Sequence, residues 1–318
     1  MANNTITFAQ QVKEELVNNT YDSKERLRAL LAAFIRINGA LSFVNKETVI
    51  TLSTENAKIA KFIYSHLKNI YNADVSFSYF QKSSFKKKTT YKISVNTMSD
   101  EILEDLEIEF LEGKISKNIV RNDDTISGYL AGAFLASGSI NSPTSSNYHL
   151  EISLNSLNYA KWMLHLFNRY KNTNILPKIS QRREKYIVYF KKSDQIADFL
   201  ILIGAVNSCM EYENIRVDRD FMNSANRLTN FDTANMKKSV DTAARQIEEI
   251  KLIDKKLGIN NIMNEKQRLL ARLRIENEYA SMKELASMMS ERLGANVSKS
   301  NINHLFRAIH ELYERLKG

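Results

Sequence analysis

The chain has 318 residues, 43% of them apolar, with 45 Lys and Arg against 36 Asp and Glu for a formal net charge of +9; this length supports two or three units with cores of their own, and the positive excess favours polyanionic partners. A single cysteine, Cys209, excludes a disulfide framework within the chain and any multi-cysteine zinc site. The start, Met1-Ala-Asn-Asn-Thr-Ile-Thr-Phe8, is not a charged leader followed by an apolar run, and no stretch reaches about eighteen uncharged apolar residues, so a cytoplasmic protein is expected rather than a secreted or membrane-spanning one.

The first expected element is an amphipathic helix over residues 6–19, with Phe8, Val12, Leu16 and Val17 on one side, placed to cap the half that follows. An internal repeat comes next. Leu31-Ala-Ala-Phe-Ile-Arg-Ile-Asn-Gly39 and Leu130-Ala-Gly-Ala-Phe-Leu-Ala-Ser-Gly138 are each an apolar helix that ends on glycine and runs into a short strand. The likeness continues: Ile50-Thr-Leu-Ser53 leads to a helix carrying Ala60-Lys61-Phe62, as Leu150-Glu-Ile-Ser153 leads to one carrying Ala160-Lys161-Trp162. A repeat of this period decides architecture before single residues do. Each half is expected to run helix, hairpin, helix, hairpin, helix, over residues 23–111 and 123–203, within one duplicated domain of residues 21–210.

Leu27, Leu30, Leu31, Phe34 and Ile35 in the first copy, and Ile126, Leu130, Phe134 and Leu135 in the second, fall at helical spacing and give each motif helix a stripe to bury. Ala32, Ala33, Ala131, Gly132 and Ala133 let the two helix backbones approach closely. The second hairpin of each half carries cations at matching places: Lys82, Lys86, Lys87, Lys88 and Lys92, then Lys178, Arg182, Arg183, Lys185, Lys191 and Lys192, interrupted by Glu184. If a pseudo-two-fold axis relates the halves, these side chains line one concave sheet surface, the electrostatic footprint of nucleic acid. The alternative is a solvated hairpin tip. Phe80, Phe85, Tyr91, Tyr186, Tyr189 and Phe190 interleave there, as core residues by strand alternation or as stacking platforms. Pro143 lies in the turn Asn141-Ser-Pro-Thr-Ser-Ser146, which joins the two strands of the second copy's first hairpin.

Residues 211–262 change character to a polar, asparagine-rich, helical connector. Asn223, Asn226, Arg227, Asn230 and Asn235 either meet a phosphate or cap and cross-link neighbouring helices. In residues 263–318 three helices are expected: Glu265 to Asn277, Met282 to Leu293, and Lys299 to Lys317. Leu269, Leu273 and Tyr279 would face Leu285, Met289 and Leu293, while Ile302, Leu305, Phe306, Ile309 and Leu312 give the last helix its buried side. Gly294 is expected as a left-handed cap and Ser298 as an N-cap. This is a helix-turn-helix layout. The start of its last helix would enter a major groove, which makes Lys299, Ser300, Asn301, Asn303, His304 and Arg307 candidates for bases and phosphates. The turn between Gly294 and Lys299 is longer than the tightest helix-turn-helix pattern, so a three-helix interaction module stays open.

The two nonapeptides resemble the LAGLIDADG motif of homing endonucleases, in which paired motif helices bring their last acidic residues to the catalytic metal. Aligned on the glycine, those acid positions hold Asn38 and Ser137, and the preceding ones hold Arg36 and Leu135. Neither an amide nor a hydroxyl supplies the anionic oxygen that a hard magnesium ion requires, so no cleavage centre is expected. With Phe8-Ala-Gln-Gln-Val-Lys-Glu-Glu-Leu16, Arg36-Ile-Asn-Gly-Ala-Leu-Ser-Phe43, Asn223-Ser-Ala-Asn-Arg-Leu228 and Ser298-Lys-Ser-Asn-Ile-Asn-His304, the chain resembles, over nearly its whole length, the WhiA family of bacterial DNA-binding regulators. The resemblance implies an α+β fold: a pseudo-two-fold duplicated LAGLIDADG-like αββαββα domain followed by an all-α helix-turn-helix domain similar to the promoter-reading domain of sigma factors. It further implies double-stranded DNA as partner, another transcription regulator or RNA polymerase as a second one, and a nucleoid-associated role in cell division, chromosome segregation or development.

Two other readings compete. An active nuclease would need a displaced metal site, for which Asp22, Asp123 and Asp124 lie a helix length from the glycine end. A protein-binding scaffold would touch DNA only incidentally. His66, His149, His165, His304 and His310 form no ligand set at metal spacing, and no phosphate-binding glycine loop occurs, so neither a cofactor nor a small-molecule substrate is expected.

Overall fold

The two motif helices, α2 (Lys24–Asn38) and α5 (Asp123–Ser137), pack with their backbones almost touching. A Cβ at Gly132 would lie 2.1 Å from the Leu30 carbonyl oxygen, and one at Gly128 would lie 2.3 Å from that of Arg26. Their stripes are buried as the spacing implied, from Leu27 to Ile35 and from Ile126 to Leu135. This computed structural model describes residues 6–81, 89–110, 114–170, 175–261 and 264–317, and the chain divides into two compact units, residues 1–219 and 220–318.

In the first unit each motif helix feeds one half of a duplicated architecture. After α2 come β1 (Gly39–Val44), β2 (Glu47–Thr54), α3 (Ala57–Tyr71), β3 (Val75–Gln81), β4 (Thr89–Val95) and α4 (Ser99–Asp105). After α5 come β5 (Gly138–Ile140), β6 (Leu150–Leu154), α6 (Leu157–Arg169), β7 (Lys178–Arg182), β8 (Lys185–Phe190) and α7 (Ser193–Ile203). Both sheets are antiparallel and carry the same strand order, β1-β2-β4-β3 and β5-β6-β8-β7. Alternation sends Ile50, Leu52, Ile93 and Val95 of one sheet, and Leu150, Ile152, Leu154, Val188 and Phe190 of the other, into the core. Asn45 and Lys46 both adopt positive φ, which suits the tight turn between β1 and β2.

The first helix, α1 (Phe8–Asn18), packs on α3 of the first half and also on α5 and β5 of the second. It therefore bridges the halves rather than capping one. The physical reason is its narrow apolar edge: Phe8, Val12 and Leu16 are buried, and Phe8 reaches Tyr212, 6.1 Å between ring centroids. Glu15 of α1 then accepts the backbone N–H groups of Asn207 (2.7 Å) and Ser208 (2.8 Å). A carboxylate there satisfies the open amides at the start of the next helix and its dipole.

That helix, α8 (Val206–Leu257), runs 52 residues, so the expected connector over 211–262 is helix as far as Leu257, and the helix begins five residues earlier than the polarity suggests. Near its start Arg219 donates to the carbonyls of Pro143 (2.8 Å) and Ser145 (2.6 Å) and lies over the Tyr148 ring, which fixes the loop between β5 and β6. In the second unit, Ile250 and Ile253 at the end of α8 join α9 (Glu265–Glu276), α10 (Met282–Leu293) and α11 (Lys299–Lys317) in a separate core. Tyr279 departs from expectation: it is 83% exposed. The position beside α10 is taken by Arg274, only 2% exposed, which donates to the Ala280 carbonyl at 2.6 Å and stacks on Phe306.

Candidate nucleic-acid interface

The turn of the second unit is built by local polar contacts. Gly294 ends α10 at φ +61, a left-handed position that a side chain would strain. The Val297 N–H then donates to Ser290 Oγ at 2.9 Å, and Val297 is buried, so the turn is closed before α11 begins. Ser298 caps α11: its Oγ accepts the Asn301 N–H at 3.2 Å and donates to Asn301 Oδ1 at 2.8 Å. Ile302, Phe306 and Ile309 bury the inner side of α11.

The candidate residues Lys299, Ser300, Asn301, Asn303, His304 and Arg307 are all exposed. Helical spacing puts Ser300, Asn303, His304 and Arg307 on one face, with Lys299 at its N-terminal edge and Asn301 to the side. Asn301 is partly committed by its bond to Ser298, which occupies its acceptor and leaves its N–H groups to donate. The face combines amide, imidazole, hydroxyl and guanidinium groups, which match base edges and phosphates.

In the first unit the matched hairpins are of unequal legibility. Lys82, Phe85, Lys86, Lys87 and Lys88 lie outside the described residues. The open face of the first sheet shows Lys92 among Thr51, Ser53, Ser76, Ser78 and Ser94, the residues that alternate with the buried ones. On the second sheet Arg182 pairs in register with Lys185, and Arg183 turns the hairpin at φ 55. Lys178 shares this open face with Arg182. Besides Glu184 in the turn, Glu151 sits among these cations: it accepts from Arg182 at 3.3 Å and bonds His149 at 2.7 Å. Among the interleaved aromatics, Phe190 is core, whereas Tyr189 is stacked by His149 and covered by the Lys191 ammonium at 5.5 Å. Phe80 is 46% exposed.

At the glycine end of the motif helices Asn38 reaches across to the other helix. Asn38 Nδ2 donates to the Ala136 carbonyl at 3.3 Å. Ser137 Oγ is buried with no hydrogen-bond partner among the described residues, and Arg36 lies between the rings of Phe110 (5.3 Å) and Tyr159 (5.4 Å). Burial lowers the Arg36 guanidinium from its ordinary value. None of these three side chains carries an anionic oxygen, the donor that a hard metal ion favours. The acids at the other end are engaged or solvated: Asp124 pairs with Arg26 at 3.5 Å, and Asp22 is exposed. Among the described residues no group of three His, Cys, Asp or Glu side chains is placed to hold a metal, and no helix is long and apolar enough to cross a membrane.

Two residues that pattern reading missed shape these faces. Glu151 alternates with buried neighbours in an ordinary strand, and Arg274 sits in a basic helix; only the three-dimensional arrangement distinguishes either.

Fold and site together define a duplicated LAGLIDADG-like α+β domain followed by a helix-turn-helix domain. Family models match in the same order: a WhiA N-terminal LAGLIDADG-like domain over residues 24–109, a WhiA LAGLIDADG-like domain over 126–222, and a WhiA C-terminal HTH domain over 225–313. A protein of Staphylococcus carnosus named "Probable cell division protein WhiA" is 39% identical over 98% of both chains. One of the same name from Staphylococcus aureus is 38% identical over 98% of both. The crystal structure of full-length DUF199/WhiA from Thermatoga maritima is similar at TM-score 0.59 and 28% identity, covering 97% of this chain and 98% of that one. The N-terminal LAGLIDADG domain of DUF199/WhiA, solved by itself, is similar at TM-score 0.50 and 26% identity, covering 63% of this chain and 91% of that one. The chain belongs to the WhiA family.

Proposed function

We propose that this protein is a sequence-specific DNA-binding regulator of transcription that serves cell division and chromosome segregation at the nucleoid, and that its nuclease-like domain does not cleave DNA. The observation that carries the reading is the exposed face of α11, where Ser300, Asn303, His304 and Arg307 stand together beside Lys299 on a helix whose other side is core. The role in division follows the names of the relatives at 38–39% identity. Absence of cleavage is supported by Asn38 and Ser137 at the motif ends, since phosphodiester hydrolysis by this scaffold needs anionic metal ligands there.

In this reading Arg307 and Asn303 contact bases, Lys299 contacts a phosphate, and the open sheet face adds phosphate contacts through Lys178, Arg183 and Lys185, with Lys86, Lys87 and Lys88 proposed as further phosphate contacts. The test is genome-wide mapping of bound DNA with the full chain and with residues 263–318 removed, paired with gel-shift titrations across salt. Removal abolishes all specific peaks, Lys299→Ala flattens the salt dependence by about one counterion, and Arg307→Ala relaxes the base preference. Peaks that persist without residues 263–318 would move sequence reading to the nuclease-like domain. Nicking of supercoiled plasmid with magnesium, abolished by Asp123→Ala, would overturn the non-enzymatic part.

A further inference from the structure

Every residue of α8 from Asp220 to Asp241 is exposed. Nothing in its composition accounts for a free helix there. Asn223, Ser224, Asn226, Thr229, Asn230, Asp232, Thr233 and Asn235 are weak helix formers, and Thr229 Oγ bonds back to the Ala225 carbonyl, a contact that competes with helix. A segment of this kind without packing is marginal in water.

The same segment carries a seam. Val217, Phe221, Ser224, Leu228, Phe231 and Asn235 follow one another at alternating intervals of four and three residues, the 3.5-residue period that directs a helix toward another helix. Val217 is 60% exposed, Phe221 72%, Leu228 64% and Phe231 64%. The amides and cations of Asn223, Asn226, Arg227, Asn230 and Lys237 occupy the opposite side and its flanks.

We propose that this seam pairs with the same seam of a second copy of the chain, the two helices running antiparallel about a two-fold axis between Phe221 and Ser224. In that register Phe221 meets the small Ser224 of the second copy, and Val217 meets Leu228, so large and small side chains interlock. Asp220 meets Arg227 on the flanks, twice by symmetry, and gives charge complementarity. A parallel arrangement would set Phe221 on Phe221 and Ser224 on Ser224, and would bring Glu213 against Asp218. The apolar side chains of the two seams together cover on the order of 1,000 Å², the level that a specific pair requires.

The test is sedimentation equilibrium on the full chain up to about 100 µM, with helical circular dichroism read at each concentration. A monomer–dimer equilibrium is expected, with helical signal rising as dimer forms. Phe221→Asp with Phe231→Asp raises the dissociation constant by about a hundredfold or more; both side chains are exposed in the single chain, and an unchanged thermal midpoint of the first unit shows that the fold is kept. Asp220→Arg and Arg227→Asp each weaken the dimer by about three- to tenfold, and the two together restore it. A mass of one chain at every concentration overturns the proposal, as does a dimer indifferent to the Phe221 and Phe231 changes or a charge exchange without rescue.

Discussion

Asn38 donates its side-chain N–H to the backbone carbonyl of Ala136, 3.3 Å away across the two motif helices. The bond ties the C-terminal end of one motif helix, side chain to backbone, to the end of the other.

Asn38→Asp is expected to loosen the helix pair without yielding a nuclease. The carboxylate would face the Ala136 carbonyl, acceptor against acceptor, with a lost hydrogen bond and an unpaired charge near the helix ends. Stability should fall by about 1–3 kcal/mol, read from the urea midpoint. Adding Ser137→Asp should deepen the loss by like-charge repulsion, and plasmid incubated with magnesium should remain supercoiled.

Gly132→Ala tests the helix contact itself. The added methyl would sit 2.1 Å from the Leu30 carbonyl oxygen and 2.9 Å from its Cα, and neither backbone atom can step aside without parting the helices. A loss of about 1–3 kcal/mol is expected, seen as a lowered thermal midpoint of the first unit. Gly294→Ala gives a useful contrast, because among the described residues nothing lies within 4 Å of where the added Cβ would sit and only the positive φ is strained.

Much of this was legible in the sequence because repetition and periodicity are local signals. The duplicated nonapeptides, their buried stripes and the three C-terminal helices follow from spacing alone, and Gly294 and Ser298 mark the turn. Long-range polar contacts were not legible. Glu15 closing the start of α8, Arg274 filling the space assigned to Tyr279 and Glu151 among the hairpin cations join residues far apart in the chain, with no periodic trace. The start of α8 escaped for a related reason: Val206 to Met210 continue the apolar pattern of the half before, and composition changes only later.

Lys13 lies over the Phe134 ring, and burial lowers its ammonium to about 8. Between about pH 8 and 10.5 the unfolded chain then holds a proton that the folded chain has released, so this group makes stability rise with pH across that window; below pH 8 both states hold the proton and the full penalty stands. Lys13→Met should accordingly stabilise the protein at pH 7 by about 2–3 kcal/mol, with the gain shrinking to nothing near pH 10.5. Urea midpoints of both proteins from pH 7 to 10.5 check it. Tyr21, pushed up to about 12 by burial, loses its stabilising contribution above pH 10 in both proteins and drops out of the difference.

Glu151→Gln tests whether the open sheet face meets DNA. It holds Arg182 at 3.3 Å and His149 at 2.7 Å, so one hairpin cation already has an internal counterion. Glu151→Gln keeps the shape and releases Arg182. If phosphates approach this face, DNA affinity should rise about two- to fivefold at low salt, and the log–log salt dependence should steepen by up to about one counterion. Fluorescence anisotropy at several potassium chloride concentrations reads both quantities. An unchanged affinity and slope would confine DNA contact to α11 and leave the paired sheets to another partner.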